Sequence, residues 1–282
     1  MSHGDFYGTE QSHVMSAPGS VRIELVHTDG TVKVLKENLA LQAGEVIDAS
    51  CLNVRTLRTW IAEQLAVARQ QDILLSLHLK ATMMKVSDPI LFGHVVSVFF
   101  ADVFSRHAEA LQSVGVDPDN GLGDLLLRLE QLPEAVRQQI QADMQAAYAA
   151  GPRLAMVNSD KGISNLHVPS DVIIDASVPA AIRSSGKMYG PDGRLYDTLA
   201  LIPDRCYAGV YQAVIDDCRA HGAFDPRTMG NVANVGLMAQ KAEEYGSHDK
   251  TYEIPADGTV RVVAKDGTVL MQHVVEAGDI WR

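Results

Sequence analysis

The sequence predicts an α/β protein in which helices surround a mixed sheet, with β-hairpins near both ends. Three patterns carry that expectation. Apolar residues recur at helical spacing over several long segments; short apolar runs of strand length stand between them; and alternation with Asp-Gly turns marks both ends of the chain. A short apolar strand directly after a helix is what a layered α/β arrangement produces.

The elements follow in order. Residues 1–20 are polar and mixed and read as a connector to one large domain spanning 21–282. Val21 to Val26 alternate, Asp29-Gly30 follows, and Val32 to Leu35 complete a hairpin. Asn53 to Arg69 places Leu57, Ile61 and Leu65 on one helical face, and Ile73 to Leu79 is a buried strand. Pro89 to Leu111 reads as one long apolar helix with Pro89 near its first turn. Leu122 to Leu132 and Pro133 to Ala149 are further helices, the second ended by Gly151-Pro152. Leu154 to Val157 and Val172 to Ile174 read as short strands, Tyr207 to Ala220 and Val232 to Glu244 as helices, and Thr251 to Trp281 as β structure.

The hairpin units at 21–50 and 251–282 resemble each other. Val21-Arg22-Ile23, Asp29-Gly30-Thr31-Val32 and Ala43-Gly44-Glu45-Val46-Ile47 recur in order as Val260-Arg261-Val262, Asp266-Gly267-Thr268-Val269 and Ala277-Gly278-Asp279-Ile280-Trp281. This predicts a duplicated unit. The first copy runs on into the helix from Asn53; the second reaches Arg282 where that helix would begin, so the sequence reads as cut within a second repeat.

Composition narrows the function classes. The chain has 282 residues, is 46% hydrophobic and 21% charged, and is ordinary for a soluble globular protein. A net charge of −11 argues against general binding to nucleic acid or to a membrane surface. No apolar run approaches a membrane span, and Met1 to Phe6 lack a signal-peptide layout. Cys51, Cys206 and Cys218 have no metal-ligand spacing and read as reduced thiols of a cytoplasmic protein.

Three ionisable residues stand out. Lys80 follows the run Leu-Ser-Leu-His-Leu, where a polar residue leaving a buried strand points into the crevice in which α/β sheets bind ligands. It also fits a solvated strand cap or a partner of Asp88, with Lys85 a competing candidate, and His78 fits a hydrogen-bonded residue on one strand face. Asp175, after Val172-Ile173-Ile174, suits a hard divalent cation, or equally a helix N-cap. Tyr245 ends a helix before Gly246, with Ser247, His248, Asp249 and Lys250 beside it. A lysine, a carboxylate and a phenol suit proton transfer beside a metal-bound oxygen. The loop 158–171 is dense in hydrogen-bonding groups and suits either turn chemistry or an oxygen-rich ligand. Arg205 reads as structural, with Asp204 in reach. A Gly-rich nucleotide fingerprint, a nucleophile elbow and HExxH are all lacking, so no nucleotide site complete within this chain is expected.

His78-Leu79-Lys80-Ala81-Thr82-Met83-Met84-Lys85-Val86-Ser87-Asp88-Pro89, Met156 to Asp175 and Gly236 to Lys250 closely resemble the monomeric NADP-dependent isocitrate dehydrogenases, and the resemblance runs along essentially the whole chain. It implies an isocitrate/isopropylmalate dehydrogenase-like large domain, of which this chain is a central fragment. It matches Lys80 to the catalytic lysine, Tyr245 to the catalytic tyrosine, and Asp175 to one of three aspartates holding Mg²⁺ or Mn²⁺. The implied reaction oxidises isocitrate at C2 with NADP⁺ and releases CO₂ to give 2-oxoglutarate. The resemblance also places the isocitrate-gripping segment before residue 1, and the other metal aspartates and NADP⁺ residues beyond Arg282. The chain alone is therefore expected to be inactive and to bind neither metal nor NADP⁺ tightly, its partners being isocitrate and the missing parts of the same enzyme. A non-catalytic binding or assembly module derived from that enzyme is the alternative. Self-association through the strand around Val274 to Trp281 is a further expectation.

Overall fold

The computed structural model describes residues 1–79, 87–206, 208–223, 225, 227, 228 and 250–282, apart from the side chains of Asp175 and Val210. Its organising element is the buried strand Leu74–Leu77, which continues through His78 to Leu79. The helix Val54–Gln70 precedes it and buries Val54, Leu57, Ile61 and Ala68. Asn53 starts that helix by accepting a hydrogen bond from the Thr56 amide. On one side the strand pairs in parallel with Leu195–Leu201, Thr198 opposite Leu74. That strand in turn pairs antiparallel with Lys187–Tyr189, which makes the sheet mixed. The hairpin of these two strands was not among the expected elements, although Gly190-Pro191-Asp192-Gly193 carries its turn.

On the other side no continuous strand pairs with it among the described residues. The Leu75 amide donates to Arg153 O at 2.9 Å, and the Ala155 amide to Leu75 O at 2.9 Å. Further along, Leu79 donates to Val172 O and Ile174 to Leu79 O, at 2.8 and 2.6 Å. Between these points the Asn165 side chain accepts from the Leu77 amide at 2.8 Å and donates to Leu77 O at 2.9 Å. A side-chain amide thus stands where a neighbouring peptide would.

This arrangement corrects two expected strands. Leu154 and Ile173 make single parallel bridges to Leu75 and Leu79, while the strand proper is Met156–Asn158, paired with Ile163–Ser164. Residues Pro169–Val172 form a 3₁₀ turn and a helix begins at Ile174, so the chain meets the central strand only in passing. The long helix expected over 89–111 is likewise divided into Ser87–Phe99, Ala101–Arg106 and Ala108–Ser113. The backbone leaves helical values at Phe100 (φ −106°, ψ 32°) and His107 (φ −114°, ψ 21°). Phe100 is buried against Phe99 and Tyr148, and His107 Nε2 donates to Asp143 at 2.8 Å. Contacts with the helix Glu134–Ala150 therefore override an apolar run that is helical on its own pattern. Gly121–Leu129 and Ala208–His221 are helices as expected, whereas the expected helix 232–244 lies outside the described residues.

The two hairpins lie side by side in one four-stranded sheet, in the order Val269–Val275, Gly258–Ala264, Gly19–His27, Val32–Leu41. Ile23 faces Val262, and Glu24 faces Arg261. Glu24 is 1% exposed and is held by Arg22 and Arg261, so one buried carboxylate joins the two ends of the chain. Burial works against its charge, but the hydrogen bonds from Arg261 and then Arg22 outweigh it and hold the carboxyl below its ordinary range.

Residues 1–20, read as a connector, contain a helical turn at Phe6–Thr9 with Phe6 buried, and a strand at Gln11–Val14 paired with Val46–Ala49. The Gln11 amide bonds both backbone groups of Gln272, at 2.7 and 3.2 Å. Ile280–Trp281 pairs with Tyr252–Glu253 on one side and Cys51–Leu52 on the other. Val269–Val275, by contrast, stands at the edge of its sheet, with Val274 exposed.

Candidate active site

The carboxyl end of the central strand is where an open α/β sheet places its ligand crevice. Lys80 and Tyr245 lie outside the described residues, as does Lys85. Asp175 is placed by its backbone alone, as the second residue of the helix Ile174–Arg183. Ile173 occupies the N-cap position, so the cap expected of Asp175 is corrected: the residue stands inside the first turn, where the helix dipole favours a carboxylate.

The residues just before two of these positions are described and bonded to each other. Leu79 precedes Lys80 and Ile174 precedes Asp175, and the Ile174 amide donates to Leu79 O at 2.6 Å. One layer away, His78 is fully buried, with Nδ1 2.6 Å from Ser177 Oγ. Ser177 Oγ itself donates to Ile173 O at 2.9 Å. One hydroxyl proton cannot serve both bonds, so His78 Nδ1–H donates to Ser177 and Nε2 is left bare. Nε2 has no hydrogen-bond partner among the described residues. Desolvation pushes the imidazole down to about 4, which keeps it neutral. Sequence reasoning treated His78 as simply satisfied and missed Ser177 and Asn165.

Ser87, the next described residue after Leu79, is buried and accepts from Arg282 Nη1 at 2.9 Å. The Arg282 guanidinium lies 3.7 Å from the centroid of the Phe6 ring and 3.5 Å from Asp204. Arg205 is structural, as expected, but its main partner is Asp5, which it meets through Nε and Nη2 at 2.9 and 2.8 Å. Asp5 is wholly buried; the desolvation that would raise its carboxyl is outweighed by Arg205, and the group stays below its ordinary range.

The polar loop 158–171 is committed to internal bonds. Leu166 O and His167 O accept from the Leu122 and Gly123 amides, satisfying donors at the start of the helix Gly121–Leu129. Asn158 Oδ1 accepts from Lys161 N, and Asn165 is used by Leu77. These are turn and capping bonds, while His167 Nδ1 is buried with no hydrogen-bond partner among the described residues.

A hard cation takes about six oxygen ligands. Among the described residues no group of three or more His, Cys, Asp or Glu side chains stands close enough to hold one. A carboxylate at 175 is the right kind of donor for such an ion.

A mixed sheet with a buried strand, and a helix start meeting the carboxyl end of that strand, defines an α/β protein. A family model for monomeric isocitrate dehydrogenase matches residues 1–282. The isocitrate dehydrogenase [NADP] of Azotobacter vinelandii is 63% identical over 282 residues, which is 100% of this chain and 38% of that protein. Isocitrate dehydrogenase [NADP] 2 of Colwellia maris is 57% identical, and isocitrate dehydrogenase [NADP] of Corynebacterium glutamicum 55%, each over 100% of this chain and 38% of its own length. The chain belongs to the monomeric isocitrate dehydrogenase family. It spans 38% of the length of these curated relatives. Among the described residues no helix is long and apolar enough to cross a membrane.

Proposed function

We propose that the protein containing this chain is a cytoplasmic NADP-dependent isocitrate dehydrogenase, and that this chain supplies it with Lys80, Tyr245 and Asp175. The observation that carries the proposal is 63% identity along the entire chain to an enzyme of that name. The hydrogen bond from Ile174 to Leu79 supports it, because the chain enters positions 80 and 175 from adjoining points.

The overall reaction removes a proton from the C2 hydroxyl of isocitrate and passes the C2 hydrogen as hydride to NADP⁺. The bond from C3 to a carboxylate then breaks, CO₂ leaves, and a proton is placed on C3. Lys80 assists removal of the hydroxyl proton, and Tyr245 returns a proton to carbon. A Mg²⁺ or Mn²⁺ ion, when bound, supplies electrostatic stabilisation of oxygen as negative charge develops there. Asp175 would be one of its ligands. Isocitrate contacts, NADP⁺ contacts and the remaining metal ligands come from parts of the enzyme outside this chain, which on its own neither turns over nor binds the cofactors tightly.

The test is substitution in the full-length enzyme. Lys80→Met and Tyr245→Phe should each lower kcat by about 10²–10⁴-fold, the usual worth of a general acid or base. Wild-type kcat in either variant would remove that residue from the chemistry.

A further inference from the structure

The His78–Ser177 bond joins the two segments that lead into the proposed site. His78 stands two residues before Lys80 on the central strand, and Ser177 two residues after Asp175 on the helix that begins beside it. Both partners are constrained. His78 is fully buried and its backbone amide donates to Leu201 O at 2.9 Å. Ser177 Oγ is tied back to the carbonyl of Ile173, the residue that bridges to Leu79. The imidazole, the hydroxyl and the Ile173 carbonyl therefore form a chain of two hydrogen bonds running beside the backbone pair Leu79–Ile174.

Two backbone bonds, Leu79 N to Val172 O and Ile174 N to Leu79 O, hold the strand against the start of the helix, and Tyr211 Oη donates to Ile174 O at 3.2 Å. All of these act at or before Ile174, the first residue of the helix, and leave rotation of the turn that follows to other contacts. A further tether three residues into the helix, at Ser177, holds its first turn to the strand. Rotations of this kind matter in catalysis, because a misplacement of about 1 Å can lower a rate about a hundredfold.

We infer that His78 and Ser177 are a positioning pair that fixes the first turn bearing Asp175 against the strand leading into Lys80, an inference that rests on the function proposed above. Neither residue needs to touch substrate. The pair acts through geometry, by keeping a base and a metal carboxylate in one constellation.

The experiment uses full-length enzyme with Ser177→Ala, Ser177→Thr and His78→Asn. Ser177→Ala removes the hydroxyl from both bonds; Ser177→Thr keeps it; His78→Asn keeps a donor near the position of Nδ1. The readouts are kcat and KM for isocitrate, Mn²⁺ affinity from the EPR signal of the free ion, and thermal melting. Ser177→Ala should lower kcat by about tenfold or more with isocitrate KM little changed. It should weaken Mn²⁺ binding by about fivefold, with Ser177→Thr and His78→Asn recovering most of both. Ser177→Ala with kcat and Mn²⁺ affinity within about twofold of wild type would overturn the inference and leave the proposed function standing. Equal impairment in Ser177→Ala and Ser177→Thr, tracking a lowered melting temperature, would reduce the pair to fold stability and overturn it too. Wild-type enzyme inactive toward isocitrate would overturn both readings.

Discussion

At the scale of single residues, the side-chain amide of Asn165 decides how the central strand is completed. Leu75, Leu77 and Leu79 present their peptide groups to the same edge, and only the middle one is met by a side chain. Asn165→Leu would leave a buried N–H and a buried C=O without partners, at about 1–3 kcal/mol for each. Thermal melting should show a large fall; an unchanged melting temperature would mean that water or a moved peptide takes over. Asp119 gives a pH-dependent case. Burial, then the carboxylates of Asp117 and Glu253, push it up to about 7. Its folded pKa therefore lies above its unfolded one, and the folded state binds the extra proton. Stability from this group is highest below about pH 4 and declines as pH rises towards 7. Asp119→Asn should raise the melting temperature at pH 8 and change it little at pH 4; the opposite ordering would contradict the assignment. Little of this was legible in the sequence. His78 could be seen as a polar residue in an apolar strand, but its partner is 99 residues away, and Asn165 is 88 residues from Leu77. Distant pairing leaves no local pattern to read.

Elements were more legible than their joints. Hydrophobic period gives the helices Val54–Gln70 and Glu134–Ala150 almost to the residue, because one face of each is buried and the pattern records it; the hairpins were legible as such, but Val32–Leu41 runs six residues past the expected Leu35. The breaks at Phe100 and His107 escaped, since they arise from contacts with Tyr148 and Asp143 on another helix. The meeting of the polar loop with the helix Gly121–Leu129 is a joint of the same kind. Gly121 has φ +82°, and a Cβ there would lie 2.3 Å from His167 O. Gly121→Ala should therefore destabilise the protein by about 1–3 kcal/mol through crowding and backbone strain together. Amide hydrogen exchange should show Leu122 and Gly123 losing protection first. Uniform loss of protection across the chain would instead indicate a joint that opens only when the whole domain does.

For the whole molecule, the two ends of the chain build one sheet around the buried Glu24, and the central strand lies in a separate apolar core with the helices. The fold class was legible because hydrophobic period is a local property. The site was legible only as a set of residue types. Position 80 follows a buried strand and position 175 opens a helix joined to it, while Tyr245, singled out by its polar neighbours and by family likeness, lies outside the described residues. We propose that this chain holds part of a shared active site whose remaining groups lie elsewhere in a longer enzyme. The most direct measurement is isocitrate-dependent NADPH formation with Mn²⁺, made on the purified 282-residue chain and on the full-length enzyme side by side. Activity in the full-length enzyme and none in the chain is the expected result; turnover by the chain alone would contradict the account.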